Sequence, residues 1–194
     1  MLNISIITKE KLVAKTAIII LADGFEEIEA ITPIDLLRRA GINVTLLGLT
    51  STGVRGSHNI VIKADMLFDE FKEQFDALIL PGGPGHKNLL ASQKVLDLIV
   101  LANKNRLLCA AICAAPVIFG KTGILTGRKA TCFPGMESGL IGAMFIGKNT
   151  VSDGNIITSR GAGTAVDFSL EIITYLTNKV TTDSVAKKIV FSLP

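Results

Sequence analysis

The sequence has no tryptophan, one tyrosine, two histidines and three cysteines in 194 residues. Cys109, Cys113 and Cys132 lack the density of a disulfide framework, which excludes a disulfide-stapled secreted domain and favours a reducing cytosol. No CxxC and no second ligand cluster accompany them, so no metal site is expected. Charge of one sign is also scarce. The net is +3, and no run of lysine or arginine marks a nucleic-acid surface. Apolar runs such as Ala17–Ala22 are far too short to cross a bilayer. MLNISIITKEKL, at the start, has no signal-peptide core and no cleavage site. Residues 1–12 are read as an N-terminal extension and 13–194 as one domain.

What is there is apolar and patterned. Hydrophobic residues make up 48% and charged residues 19%, the balance of a globular chain. Thr16–Leu21, Val44–Leu49, Asp76–Leu80 and Leu107–Ala111 are continuous apolar runs, as in parallel strands buried on both faces. Between the first two, Glu26, Glu27 and Glu29 open a segment that Arg38 and Arg39 close before Gly41. Acid first, base last and glycine at the stop is the charge order of a helix. Pro33 inside it predicts a kink or a break. Gln93–Asn103 and Thr164–Leu176 have helical spacing, and a short helix is expected around Asp183–Lys188. Asp153-Gly154 between two apolar runs signals a hairpin. Strands alternating with helices imply a mostly parallel α/β sandwich.

In open α/β sheets ligands sit beyond the carboxyl ends of strands. Asp23–Glu29, Pro81–Gly85, Cys113 and Arg160–Gly163 all follow strand ends, so these loops should meet on one edge. Leu107–Gly120 is the most informative stretch: a buried strand, a sharp turn at Cys113, and a helix start marked by Pro116. N–H groups there favour negative charge, which predicts a lowered Cys113 pKa and a site for an oxyanion. A buried structural cysteine is the plain alternative. In Pro81–Gly85, a tight turn and an anion-facing nest of N–H groups both fit. In the nest, Gly83 and Ala114 would supply the N–H pair. Glu26 and Glu27 read as solvated first-turn acids, whereas Glu29 is open to turning inward toward sulfur.

Two nucleotide patterns fail or weaken. Gly120-Lys121-Thr122 ends like a P-loop, but Ala115 stands where its first glycine belongs. Gly161-Ala162-Gly163 lacks the third glycine of a dinucleotide fingerprint, Val166 being there. Of the histidines, His86 is the nearer guess for a Cys113 partner, and an exposed loop histidine is the plainer reading for both.

Asp-Gly-Phe-Glu-Glu-Ile-Glu (23–29), Leu-Pro-Gly-Gly-Pro-Gly (80–85), Ala-Ala-Ile-Cys-Ala-Ala-Pro (110–116) and Thr-Ser-Arg-Gly-Ala-Gly-Thr (158–164) together resemble the signature motifs of the ThiJ/PfpI superfamily. They are most similar to its branch of the parkinsonism-associated deglycase and bacterial relatives. The resemblance implies a flavodoxin-like sandwich with a nucleophile elbow, assembled as a homodimer; the apolar helix Ile28–Ala40 fits such an interface. It implies Cys113 as oxidisable nucleophile, Glu29 as the acid beside it and Gly83 with Ala114 as the oxyanion pair. Arg38, Arg160 and Gly82 would line the substrate pocket. Activities implied are glyoxalase-type conversion of methylglyoxal, deglycation of glycated protein, redox-dependent chaperoning and oxidative-stress sensing, none needing a cofactor. Some bacterial members carry the label of a thiazole-monophosphate biosynthesis protein.

The chain departs from the pattern in two places. Ala114 replaces the histidine that follows the nucleophile in the protease-like branch, which speaks against protease or amidase activity. Phe133 stands where some relatives place a histidine near the site. A dyad of Cys113 and Glu29 is left. It serves an enzyme acting on small dicarbonyls or their adducts, and equally a non-enzymatic sensor whose oxidised Cys113 switches a chaperone or partner surface.

Overall fold

The computed structural model describes residues 14–192; the extension read at 1–12 lies outside the described residues. A seven-stranded sheet forms the centre. Its strands are β1 (Thr16–Leu21), β2 (Asn43–Gly48), β5 (Met66–Leu67), β6 (Ala77–Leu80), β7 (Leu108–Ile112), β10 (Thr150–Asp153) and β11 (Ile156–Ser159), in the order β10-β11-β7-β6-β1-β2-β5. All neighbours pair in parallel except β10 with β11. That exception is the hairpin signalled by Asp153-Gly154, with Gly154 at φ +63°. Two small sheets flank the centre: β3 (Gly53–Arg55) with β4 (Val61–Lys63), and β8 (Lys129–Ala130) with β9 (Met144–Phe145).

Helices cover both faces, so β6, β7 and β11 bury every side chain and β1 all but Thr16. Ile19 and Leu21 of β1 enter one apolar layer, and Ile18 and Ile20 enter the other. The first layer is closed by α1 (Glu27–Arg39), α5 (Ala165–Leu176) and α6 (Lys179–Lys188). The second is closed by α2 (His86–Ala91), α3 (Gln93–Lys104) and α4 (Pro116–Thr122). Among the described residues no helix is long and apolar enough to cross a membrane.

The expected break at Pro33 does not occur. α1 runs unbroken through it, with Pro33 on the buried side. Proline there removes only the N–H that would bond the Glu29 carbonyl four residues back, and packing of Ala30, Ile34 and Leu37 into the core outweighs that loss. β1, β6, β7 and β11 are adjacent and point the same way. The loops after them are therefore forced onto one edge of the sheet.

Candidate active site

β7 delivers its last side chain into the core at Ile112, and the next residue reverses the chain. Cys113 has φ +64°, a left-handed conformation rare for a residue with a side chain. Such a backbone costs on the order of 1–3 kcal/mol and persists where its surroundings fix it. They do so here. The Cys113 N–H donates to the Ser159 carbonyl at 2.9 Å, and the Cys113 carbonyl accepts the Phe133 N–H at 2.8 Å. Ala115 then caps α4, with Pro116 in its first turn. The sulfur is lifted out of the sheet: Cys113 is partly exposed, whereas Cys109 and Cys132 are buried.

Glu29 arrives from the loop after β1. The Glu26 carboxylate caps α1 by accepting the Glu29 N–H at 2.8 Å. One turn into the helix, the Glu29 side chain faces inward and is 1% exposed. Its Oε2 accepts the Gly82 N–H at 2.9 Å, and its Oε1 is buried without a hydrogen-bond partner among the described residues. Gly82 sits between the Cys113 side chain and the Glu29 carboxyl. A Cβ there would stand 2.7 Å from the Cys113 Cβ and 2.8 Å from Glu29 Oε2, so only glycine lets carboxyl and sulfur approach. Gly83 follows at φ +78°, turning its N–H toward the sulfur, while the Gly82 carbonyl accepts the Glu26 N–H.

Burial pushes the Glu29 carboxyl up to about 7, and the Glu26 charge adds to it; the Cys113 thiol and the N–H groups of Gly82 and Ala162 oppose the rise. Burial also pushes the Cys113 thiol up to about 12, and the negative charge on Glu29 acts in the same direction. The N–H groups of Gly83 and Ala114 pull the other way without prevailing. The expected lowered Cys113 pKa is therefore corrected: α4 is short, and desolvation beside a carboxylate outweighs two backbone N–H groups. Cys109 and Cys132 are also raised, first of all by burial. Sulfur and carboxyl titrate as a pair. Below about 7 the pair holds two protons, and above it one, kept on the Cys113 sulfur.

Glu29, Gly82, Gly83, Cys113 and Ala114 are thus brought together. Arg160 leaves β11 with its N–H on the Asn149 carbonyl, and its charge acts on Glu137 and Cys132 beside the elbow. Within one chain Arg38 stays away from the residues of the four loops. It lies in the last turn of α1 and donates from Nη2 to the Val44 carbonyl at 3.0 Å. Nine residues of helix, about 13 Å of rise, separate it from Glu29. His86 turns its Nδ1 to the Gly83 carbonyl at 2.8 Å and so braces the glycine loop.

Glu27 and His58 form an unexpected second pair. Glu27 is 4% exposed, not solvated. It accepts the Ser57 hydroxyl at 3.1 Å, the His58 N–H at 2.6 Å and lies 2.9 Å from His58 Nδ1. Burial raises its pKa, but these bonds prevail and hold it at about 2. The pair ties the β3–β4 connection to the start of α1. Glu26, Glu27 and His58 have ligand-type atoms within 4.8 Å of one another, but Glu26 and Glu27 are committed to these bonds.

Sequence reasoning missed a hydroxyl chain that fixes the fourth loop. Ser159 Oγ lies 2.6 Å from Thr164 Oγ1, which in turn takes the Gly161 N–H at 3.2 Å. The motif Thr-Ser-Arg-Gly-Ala-Gly-Thr held both hydroxyls in view, but only the strand register shows that the Ser159 carbonyl also holds Cys113.

Comparison with known proteins places this geometry among relatives. The profile of the DJ-1/PfpI family matches residues 15–175. Protein dj-1beta of Drosophila melanogaster is 40% identical over 179 residues, spanning 90% of this chain and 96% of the relative. A deglycase of Pyrococcus abyssi is 30% identical, over 82% of this chain and 98% of its own. The solved structure of oxidized DJ-1 from Toxoplasma gondii superposes with a TM-score of 0.89 at 30% identity, covering 93% of this chain and all of that one.

Proposed function

The chain belongs to the DJ-1/PfpI family, and on that premise we propose that it is a cysteine-dependent enzyme of glyoxalase or deglycase type. Its substrates are small 2-oxoaldehydes such as methylglyoxal, or their adducts on protein. One observation carries the reading. A buried Glu29 carboxyl, one oxygen of which has no hydrogen-bond partner among the described residues, acts on a strained, partly exposed Cys113. A carboxyl oxygen left bare in the interior costs about 1–3 kcal/mol, and a reacting group is what it awaits.

Cys113 sulfur adds to the aldehyde carbon, and its proton passes through Glu29 to the aldehyde oxygen, giving a hemithioacetal. The N–H groups of Gly83 and Ala114 hold that oxygen while it is negative. Glu29 then takes the proton from the former aldehyde carbon and, through an enediol, one is returned to the ketone carbon. The product is a thioester of a 2-hydroxy acid. Water cleaves it, releasing the acid and restoring the thiol. One water is consumed overall, and oxidation at one carbon balances reduction at its neighbour. No cofactor enters the sequence. Lactate formed from methylglyoxal by purified protein, absent in Cys113→Ala, tests the proposal; an aldehyde scavenger distinguishes true deglycation from removal of free dicarbonyl.

A second reading rests on exposure alone. Cys113 is the only one of the three sulfurs in reach of an oxidant, and its sulfinic form would accept the Gly83 and Ala114 N–H groups. We further propose that the protein works as a symmetric homodimer in a reducing compartment such as the cytosol. Ile28 and Ile31 on α1, with Ile60 and Val61 at β4, are all at least 42% exposed. The Phe25–Gly56 bridge brings these segments together.

A further inference from the structure

Phe133 is a large apolar side chain in a place where the proposed chemistry alone does not need one. It is 47% exposed, while Phe25, Phe119 and Phe168 are fully buried. Its backbone is held at both ends. The N–H donates to the Cys113 carbonyl at 2.8 Å, and the carbonyl accepts the Met136 N–H at 3.1 Å. The backbone that carries the ring is thus held by the same hydrogen bond that helps fix the elbow. Gly161 shows where it points. The position a Cβ would take on Gly161 is 3.5 Å from the Phe133 ring at Cδ2 and 3.9 Å from Glu29 Oε1. Ring and carboxyl oxygen therefore look onto the same small space, which Gly161 leaves unfilled.

We propose that Phe133 is a specificity-determining residue, an apolar wall beside Cys113 and Glu29 that favours 2-oxoaldehydes with an aryl or branched alkyl group on the ketone carbon. This rests on the enzymatic reading for its substrate class. A ring carried on backbone already held at the elbow gives up little freedom on contact with substrate, so removing its apolar face and the substituent's from water adds directly to binding. Hydrogen or methyl on that carbon is too small to reach much of the ring. Discrimination by an apolar wall is bounded: one methylene is worth about 10–200-fold.

The test compares kcat/KM for phenylglyoxal with that for methylglyoxal in wild type, Phe133→Leu and Phe133→Ala. In parallel, Cys113 alkylation by N-phenylmaleimide and N-methylmaleimide is followed by mass spectrometry, which needs no turnover. Both ratios should fall about tenfold in Phe133→Ala and less in Phe133→Leu, which keeps apolar bulk. Turnover with ratios unchanged in Phe133→Ala would overturn the role of Phe133 and leave the enzyme standing. Absence of dicarbonyl turnover with a falling maleimide ratio would overturn the enzymatic reading and uphold the wall.

Discussion

Glu29 and Gly82 stand 53 residues apart, yet Glu29 Oε2 takes the Gly82 N–H at 2.9 Å in a buried bond. That contact fixes which carboxyl oxygen is spoken for and which stays without a partner among the described residues.

Replacing Glu29 by glutamine keeps an acceptor for the Gly82 N–H but removes the transferable proton. Dicarbonyl turnover should fall at least 100-fold, the range for losing a general acid–base group. Stability should move the other way. The folded carboxyl titrates at about 7 against an ordinary 4.5, so the folded state binds more protons and stability falls as pH rises between those values. The cost at pH 8 is up to about 3 kcal/mol. Glu29→Gln should thus melt several degrees above wild type at pH 8 and close to it at pH 4. Calorimetry at the two values checks the sign, and unchanged turnover would remove Glu29 from the mechanism.

Cys113 should stay a thiol through neutral pH, because burial and the Glu29 charge push it up to about 12. Iodoacetamide labelling should therefore be slow at pH 7 and climb through pH 9 without levelling off. Cys109 and Cys132, buried in the core, should stay unlabelled until the protein unfolds. Labelling that steps up and flattens near pH 7 would mean that the sulfur gives up its proton first and Glu29 keeps it.

Gly82→Ala tests the close approach itself. The new methyl would meet Cys113 Cβ and Glu29 Oε2 at under 3 Å. Separating them should abolish turnover at a stability loss of about 1–3 kcal/mol, the usual cost of overpacking. Retained activity would show that the pair works at a distance this geometry does not predict.

The Glu27–His58 clamp should make stability depend on acid pH. Glu27 titrates at about 2 in the folded state, below its ordinary 4.5. Its contribution is complete above 4.5 and lost as pH falls toward 2. Glu27→Gln should therefore lower the melting temperature at pH 6 and matter little at pH 2. The partner has the opposite sign: bonding to Glu27 raises the His58 pKa, so that part of the clamp weakens once pH climbs past the histidine.

Sedimentation equilibrium decides the assembly. Wild type should run at twice 20.6 kDa at micromolar concentration, and Ile28→Lys should shift it toward the monomer. A wild-type monomer would leave the exposed isoleucines of α1 for another partner.

Much of the frame was legible in the sequence because it is periodic or punctuated. β1 needed only its apolar run, and the hairpin of β10 and β11 only Asp153-Gly154. The meeting of the loops followed from strand order. What was not legible depends on partners distant in sequence. Glu27 looks like any first-turn acid until His58 is folded against it. Arg38 sits in a familiar motif, but helix length carries it to the far end of the sheet. The Cys113 pKa went wrong because a helix start is visible in the sequence and the desolvation around the sulfur is not.

The left-handed backbone at Cys113 has a consequence for anyone who would remodel this protein. Glycine at 113 would relax the turn, and alanine would keep its strain while losing the sulfur. Cys113→Gly should therefore be the sturdier of the two inactive proteins. A search guided by thermal tolerance alone would drift toward it, trading the reactive atom for a more comfortable chain.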